Sequence, residues 1–271
     1  MKNAMTAAVC VAMLVGCAVP GEREKTSPLK VLMIGNSFSE SCLRETPRIA
    51  KAMGCPLDLA NLYIGGCSLK THWDNVVAGS VIGPSFRPYR YNRWTDGVHT
   101  VSNGTANIVE AIESEQWDVV VLQQASHSSW DAATYDYAIT YLINLIRQKR
   151  PGAKIMLQET WSYPPWDKRL KKFGFDGPEM YRRLHAAYEK FGKMFKLEII
   201  PVGSVAETVP DRNRLFTAPD FHFNKEGQYL QGLVWTTTLF GVDVSRCPYV
   251  PAGVDPARAE VLRSAVMSAS R

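Results

Sequence analysis

The sequence is short of the features that mark metal, nucleotide and nucleic-acid proteins. Charge of one sign is scarce: 31 basic against 26 acidic residues leave a formal +5 over 271 residues, with no long basic run and no nucleic-acid motif. Nucleic acid is therefore not an expected partner. The six cysteines include no CxxC pair, and neither HExxH nor clustered carboxylates occur, so no metal site and no cofactor is expected. GxGxxG and P-loop patterns are missing as well. Histidine is sparse, five in all, which leaves few choices for a general base. No internal repeat or low-complexity segment stands out. Against these absences, a 46% hydrophobic composition over 271 residues is enough for one sizeable core.

The N-terminus is the first informative segment. Lys2 precedes an apolar stretch from Ala4 to Val15, too short to span a bilayer, and residues 1–17 read as a signal peptide. The stretch ends in Leu14-Val15-Gly16-Cys17, which resembles the lipobox of bacterial lipoproteins. That resemblance implies lipidation of Cys17 and a membrane partner reached through the lipid. Ala18 and Val19, in place of an aspartate, point to the outer membrane of an exported protein. An ordinary secretory signal with an incidental cysteine is the plainer alternative. Residues 18–28 form a polar, proline-containing tether and 29–271 a single domain. Cys42, Cys55, Cys67 and Cys247 are left either to pair as disulfides or to stay as buried thiols.

Within the domain, strand-like apolar runs at 30–34, 57–63, 118–122, 154–157 and 197–201 alternate with helical patterns near 41–53, 105–115, 133–149, 177–195 and 225–240. Such alternation predicts an α/β fold, a parallel sheet sandwiched between helices. Ligands bind such sheets at the carboxyl ends of the strands. Two stretches break the pattern, 79–104 with Trp94 and 161–177 with Trp161. Their interleaved aromatics and arginines read as surface insertions that either wall a substrate site or cover a minicore of their own.

Gly35-Asn36-Ser37-Phe38-Ser39 follows the first strand and leads into a helix. A serine at that turn exposes its hydroxyl beside backbone N–H groups able to hold an oxyanion, although helix N-capping would also explain a serine there. Near the C-terminus, Asp220 and His222 share one loop, so the carboxylate can orient the imidazole while the other ring nitrogen takes a serine proton. His72, His99 and His127 fall near strand ends or insertions, and His185 falls within a helix.

Together these blocks resemble the SGNH hydrolases, which carry a Gly-Asp/Asn-Ser block at the first strand and Asp and His together near the C-terminus. The similarity runs over nearly all of the domain and implies their flavodoxin-like three-layer α/β/α fold. It also implies roles for particular residues. Ser37 becomes the nucleophile, His222 the base and Asp220 its partner. The oxyanion hole falls to the N–H groups of Ser37 and Gly66, the latter in Gly65-Gly66-Cys67-Ser68, with a third donor from the block after the third strand. There the chain departs from Gly-x-Asn and reads Leu122-Gln123-Gln124-Ala125-Ser126-His127. Relatives like sialate O-acetylesterases use a glutamine, which selects Gln124, with Gln123 and Ser126 as alternatives. Asp220 and His222 are one residue apart rather than two, and a backbone carbonyl in place of Asp220 stays open. Asn36, Gln123, Ser126, Trp94 and Trp161 are expected around the substrate.

The resemblance implies a serine esterase acting through an acyl-enzyme on short acyl groups, O-acetyl above all, carried by a carbohydrate. An acyltransferase or peptidase would share this site. A glycan-binding lipoprotein on a retired hydrolase scaffold is the rival from another class, and retention of Ser37, His222 and Asp220 speaks against it.

Overall fold

The computed structural model describes residues 27–269; the proposed signal peptide, Cys17 and most of the tether lie outside the described residues. In chain order come β1 Leu29–Gly35, α1 Ser37–Ala52, β2 Leu57–Tyr63, α2 Leu69–Ile82, β3 Tyr89–Thr95, β4 Val98–Ala106, α3 Ile108–Glu113 and β5 Val119–Leu122. Then follow α4 Asp136–Lys149, β6 Lys154–Gln158, α5 Lys168–Phe173, α6 Gly177–Phe195, β7 Glu198–Ile200, α7 Val202–Thr208, α8 Lys225–Phe240 and α9 Pro256–Ala269. The strands form one sheet in the order β4-β3-β2-β1-β5-β6-β7.

Val31–Ile34 and the whole of β5 are buried apolar runs without alternation, as strands covered on both faces require. Strands β2, β1, β5, β6 and β7 are parallel. From β1 the chain crosses to β2 on one side through α1, and it later fills β5 and β6 on the other side through α4. Because such crossovers are right-handed, the two helices lie on opposite faces. Helices α1, α8 and α9 pack together, as do α2, α3 and α4. The strand order thus reverses at β1, and the crevice outside the carboxyl end of β1 is where a ligand site is expected. Ser37 follows that end by two residues.

The sheet departs from the expected all-parallel arrangement at one edge. Much of the stretch 79–104, read as a surface insertion, is the hairpin β3–β4, antiparallel to β2 and to itself. Its arginines are sheet residues: Arg93 Nε donates to the buried Asp58 carboxylate at 2.7 Å. In the stretch 161–177 the first aromatics are no substrate wall either: Trp161 and Tyr163 are fully buried, while exposed residues follow from Pro165. The four cysteines within the described residues are buried thiols, not disulfides.

Candidate active site

The turn after β1 is shaped by what must fit around it. A Cβ on Gly35 would stand 2.5 Å from Ser39 Oγ and 3.0 Å from Gln123 Nε2, so only glycine lets the strand end this close to its neighbours. Asn36 then caps α1, its Oδ1 accepting from Phe38 N–H at 3.1 Å. With the cap filled by Asn36, the Ser37 hydroxyl is not needed for it. The Ser37 N–H remains one of the unpaired donors at the helix start.

The loop 216–224 brings the other groups. Ser37 Oγ and His222 Nε2 are 2.9 Å apart, and His222 Nδ1 and Asp220 Oδ1 are 2.8 Å apart. Burial pulls the Asp220 carboxyl upward, but the His222 backbone N–H, the imidazole and the Phe221 N–H outweigh it and hold Asp220 below its ordinary value. An ionised Asp220 keeps the Nδ1 proton facing it and leaves the Nε2 lone pair for the Ser37 hydroxyl. The loop is clamped from outside its own chain segment. Trp166 Nε1–H donates to Asp220 O at 3.1 Å, and Trp161 Nε1–H to Phe221 O at 3.1 Å.

Trp161 also ties the two halves of the site together. Its ring lies between Phe38 and Phe223, with centroids 3.7 Å away on each side and planes within 6° and 10° of parallel. Phe38 is the residue after Ser37, and Phe223 the residue after His222. A stack of three rings therefore fixes the separation of two catalytic candidates 185 positions apart in sequence. This corrects the expectation that Trp161 contacts substrate, because it has no exposed surface.

Gly66 lies on an exposed turn with φ +63°, a left-handed conformation that suits glycine. That turn is tied to the nucleophile elbow by Ile64 N–H to Gly35 O at 3.4 Å and Asn36 Nδ2 to Cys67 O at 3.0 Å. The third expected oxyanion donor is corrected. Gln124 is fully buried, its Nε2 donates to Thr134 O and Oγ1 at 2.9 and 3.2 Å, and its Oε1 accepts from Leu69 and Ala125 N–H. Both amide hydrogens are engaged. Flipping the amide would set its NH2 against two backbone donors, so the orientation is fixed.

Asn36 and Gln123 are likewise not free for a substrate. Gln123 Nε2 donates to Asn36 Oδ1 at 2.7 Å, and Gln158 donates to Gln123 Oε1. Gln158 Oε1 in turn accepts from Gln231 at 2.9 Å and Trp235 at 2.6 Å. This buried amide chain under the carboxyl ends of β1, β5 and β6 was not foreseen from sequence, where Gln158 and Gln231 lie in apolar runs without a motif. Ser126 Oγ is 2.9 Å from Tyr163 Oη and 8% exposed. Trp94 sits on β3, well below the sheet edge that carries Ser37, with His99 stacked on it at 4.7 Å.

Of the remaining histidines, His72 is buried, with Nδ1 2.9 Å from Tyr89 Oη, and burial pushes its pKa down to about 3. His185 pairs with buried Glu159 at 2.7 Å, which raises it. His127 lies within electrostatic reach of Arg169, beside the loop that carries His222. It is exposed, and partial desolvation followed by the charge of Arg169 lowers it. Arg169 lies 3.6 Å over the Phe221 ring, held by Asp167 at 2.8 Å. No signal in the sequence marked Arg169, since its contact with Phe221 arises only through folding.

Residues 30–269 match the model of a family described as DUF4886, a domain of unknown function. A crystal structure of a DUF4886 protein from Bacteroides uniformis aligns with 28% identity and a TM-score of 0.80, covering 90% of this chain and 95% of that one. A protein from Slackia heliotrinireducens, named for the SGNH hydrolases, aligns with 20% identity and a TM-score of 0.59 over 79% of this chain and all of the other. The lipase/acylhydrolase from Enterococcus faecalis shares the fold at 15% identity and a TM-score of 0.50, over 78% of this chain and 96% of that one. A search of functionally curated proteins finds no match. The chain belongs to the DUF4886 family and carries the fold of the SGNH hydrolases.

Proposed function

We propose that this protein is a serine ester hydrolase, and the observation that carries the reading is the hydrogen-bonded line Ser37 Oγ, His222 Nε2, His222 Nδ1, Asp220 Oδ1. His222 takes the Ser37 proton as Oγ attacks the ester carbonyl, and the carbonyl oxygen becomes an oxyanion facing the N–H groups of Ser37 and Gly66. Collapse of that intermediate breaks the acyl–oxygen bond. The imidazolium, stabilised by Asp220, returns its proton to the leaving alcohol, and Ser37 keeps the acyl group. Water, deprotonated by His222, then releases the acid and restores the hydroxyl.

Openness favours a short acyl group on a bulky alcohol. The side chains of His222 and Asp220 are 34% and 54% exposed, whereas a long acyl chain needs an enclosed apolar slot. An O-acetylated carbohydrate fits that description. The lipobox-like segment ending at Cys17 supports export and a lipid anchor. Acetate release from a panel of acetylated polysaccharides and an aryl acetate, with Ser37→Ala alongside, tests the reading. Activity confined to the wild type is expected; equal release by Ser37→Ala would remove it.

A further inference from the structure

A cleft of about 740 Å3 runs down the side of the molecule, starting at Glu40, one helical turn below Ser37. One wall is the face of α1 that begins one turn after Ser37 and carries Glu40, Arg44 and Arg48. The other is the face of β3 carrying Arg90, Asn92 and Trp94. Glu40 to Arg48 spans about 12 Å of helix, and Arg90 to Trp94 about 13 Å of strand. The two walls thus descend together. Their upper ends approach the proposed oxyanion site through intervening residues: the Arg90 guanidinium lies 4.2 Å over the Tyr63 ring, and the Tyr63 hydroxyl lies near Gly65, next to Gly66.

The charges in this cleft are unbalanced. Of its two carboxylates, Glu40 is bound by Arg90 at 2.8 Å and Glu45 by the Tyr249 hydroxyl at 2.6 Å. Arg48 reaches Glu45 only at 3.9 Å. Among the described residues, Arg44 and Lys225 meet no carboxylate, and Arg90 Nε is buried without a hydrogen-bond partner. A cleft lined by excess charge of one sign concentrates counter-charged ligands, and guanidinium groups hold carboxylates and sulfates through paired hydrogen bonds. At the lower end Trp94 is half-buried, with His99 stacked on its ring at 4.7 Å and the Arg48 guanidinium 5.4 Å from its ring centroid, so that Arg48 is held at the cleft wall.

We propose that this cleft is a binding subsite for an anionic glycan chain, with carboxylate or sulfate groups on its sugars, and that it presents an ester on that chain to Ser37. The proposal rests on the esterase reading above. Its test is equilibrium binding of the Ser37→Ala variant to uronate-bearing, sulfated and neutral oligosaccharides of matched length, by calorimetry at low and high salt. At least one anionic ligand should bind about tenfold more tightly than the neutral one, with the gap closing as salt screens the arginines. The better anion identifies the natural group. Arg44→Gln with Arg48→Gln should bring anionic binding most of the way to the neutral level, with the melting temperature measured alongside to show that the variant remains folded. Equal binding of all three ligands, or no effect of the double substitution, overturns the proposal. Turnover of an aryl acetate by the wild type is read separately: turnover without anionic preference removes the subsite alone, while anionic preference without turnover removes the esterase and leaves the cleft as a glycan site.

Discussion

Residue chemistry divides the site into parts that a motif can announce and parts that only packing can assign. Ser37, Asp220 and His222 were legible because their chemistry demands particular residue types at a strand end and in one loop. Gln124 was misread for an equally physical reason. A glutamine after a strand end can face the substrate or the protein interior, and the choice depends on Thr134, Leu69 and Ala125, which the local sequence does not reveal. The corrected role carries its own expectation. Gln124→Ala should act mainly on stability, because it leaves two buried backbone N–H groups without acceptors at about 1–3 kcal/mol each. Urea unfolding should show a lowered midpoint, with turnover per folded molecule changed far less than the 100-fold or more typical of a lost oxyanion donor, roughly. A 100-fold loss in kcat with unchanged stability would restore Gln124 to the oxyanion hole.

At the level of elements, the parallel strands were legible because unbroken apolar runs such as Val119–Leu122 have few other uses. The run expected at 57–63 is β2 to the residue. The hairpin β3–β4 was missed because both its faces carry polar groups, Arg90 and Asn92 toward α1, Arg93 toward Asp58 and Glu115. Helix α2 was missed because it buries only Leu69 and His72, too little to leave a stripe at helical spacing. The stack Phe38–Trp161–Phe223 joins α1 to two separate loops and had no sequence signature at all. Trp161→Ala should cost about 3–5 kcal/mol, since the stack loses its middle ring and the cavity cannot fully close. It should also lower kcat beyond the effect of unfolding, by loosening Ser37 against His222. Trp161→Phe, which keeps an aromatic ring between the other two, should recover most of the turnover. Equal kcat in wild type and Trp161→Ala, measured on the folded fraction, would show that the stack serves stability alone.

For the whole molecule, acid stability is set in part by His72, which the sequence placed near a strand end or insertion. His72 is buried and stays neutral down to about pH 3, while in the unfolded chain it takes a proton near its ordinary value of 6.5. Between those values the unfolded state holds one more proton than the folded state. Stability must therefore fall as pH falls through that window, by up to about 1.4 kcal/mol per pH unit from this group. The penalty is absent above pH 6.5 and fully developed near pH 3. Urea titrations of wild type and His72→Gln from pH 7 to 4 should diverge in slope, the variant losing less stability on acidification. Parallel slopes would mean that His72 gains solvent or a proton without unfolding.

The account as a whole depends on Ser37 being a nucleophile activated by His222. The direct measurement is intact-mass and peptide analysis after treatment with a fluorophosphonate. A single adduct on the peptide containing Ser37, slowed strongly by His222→Ala and absent in Ser37→Ala, is the predicted result. An unlabelled wild-type protein, or a label carried equally by Ser37→Ala, would contradict it and leave a hydrolase fold that binds without cleaving.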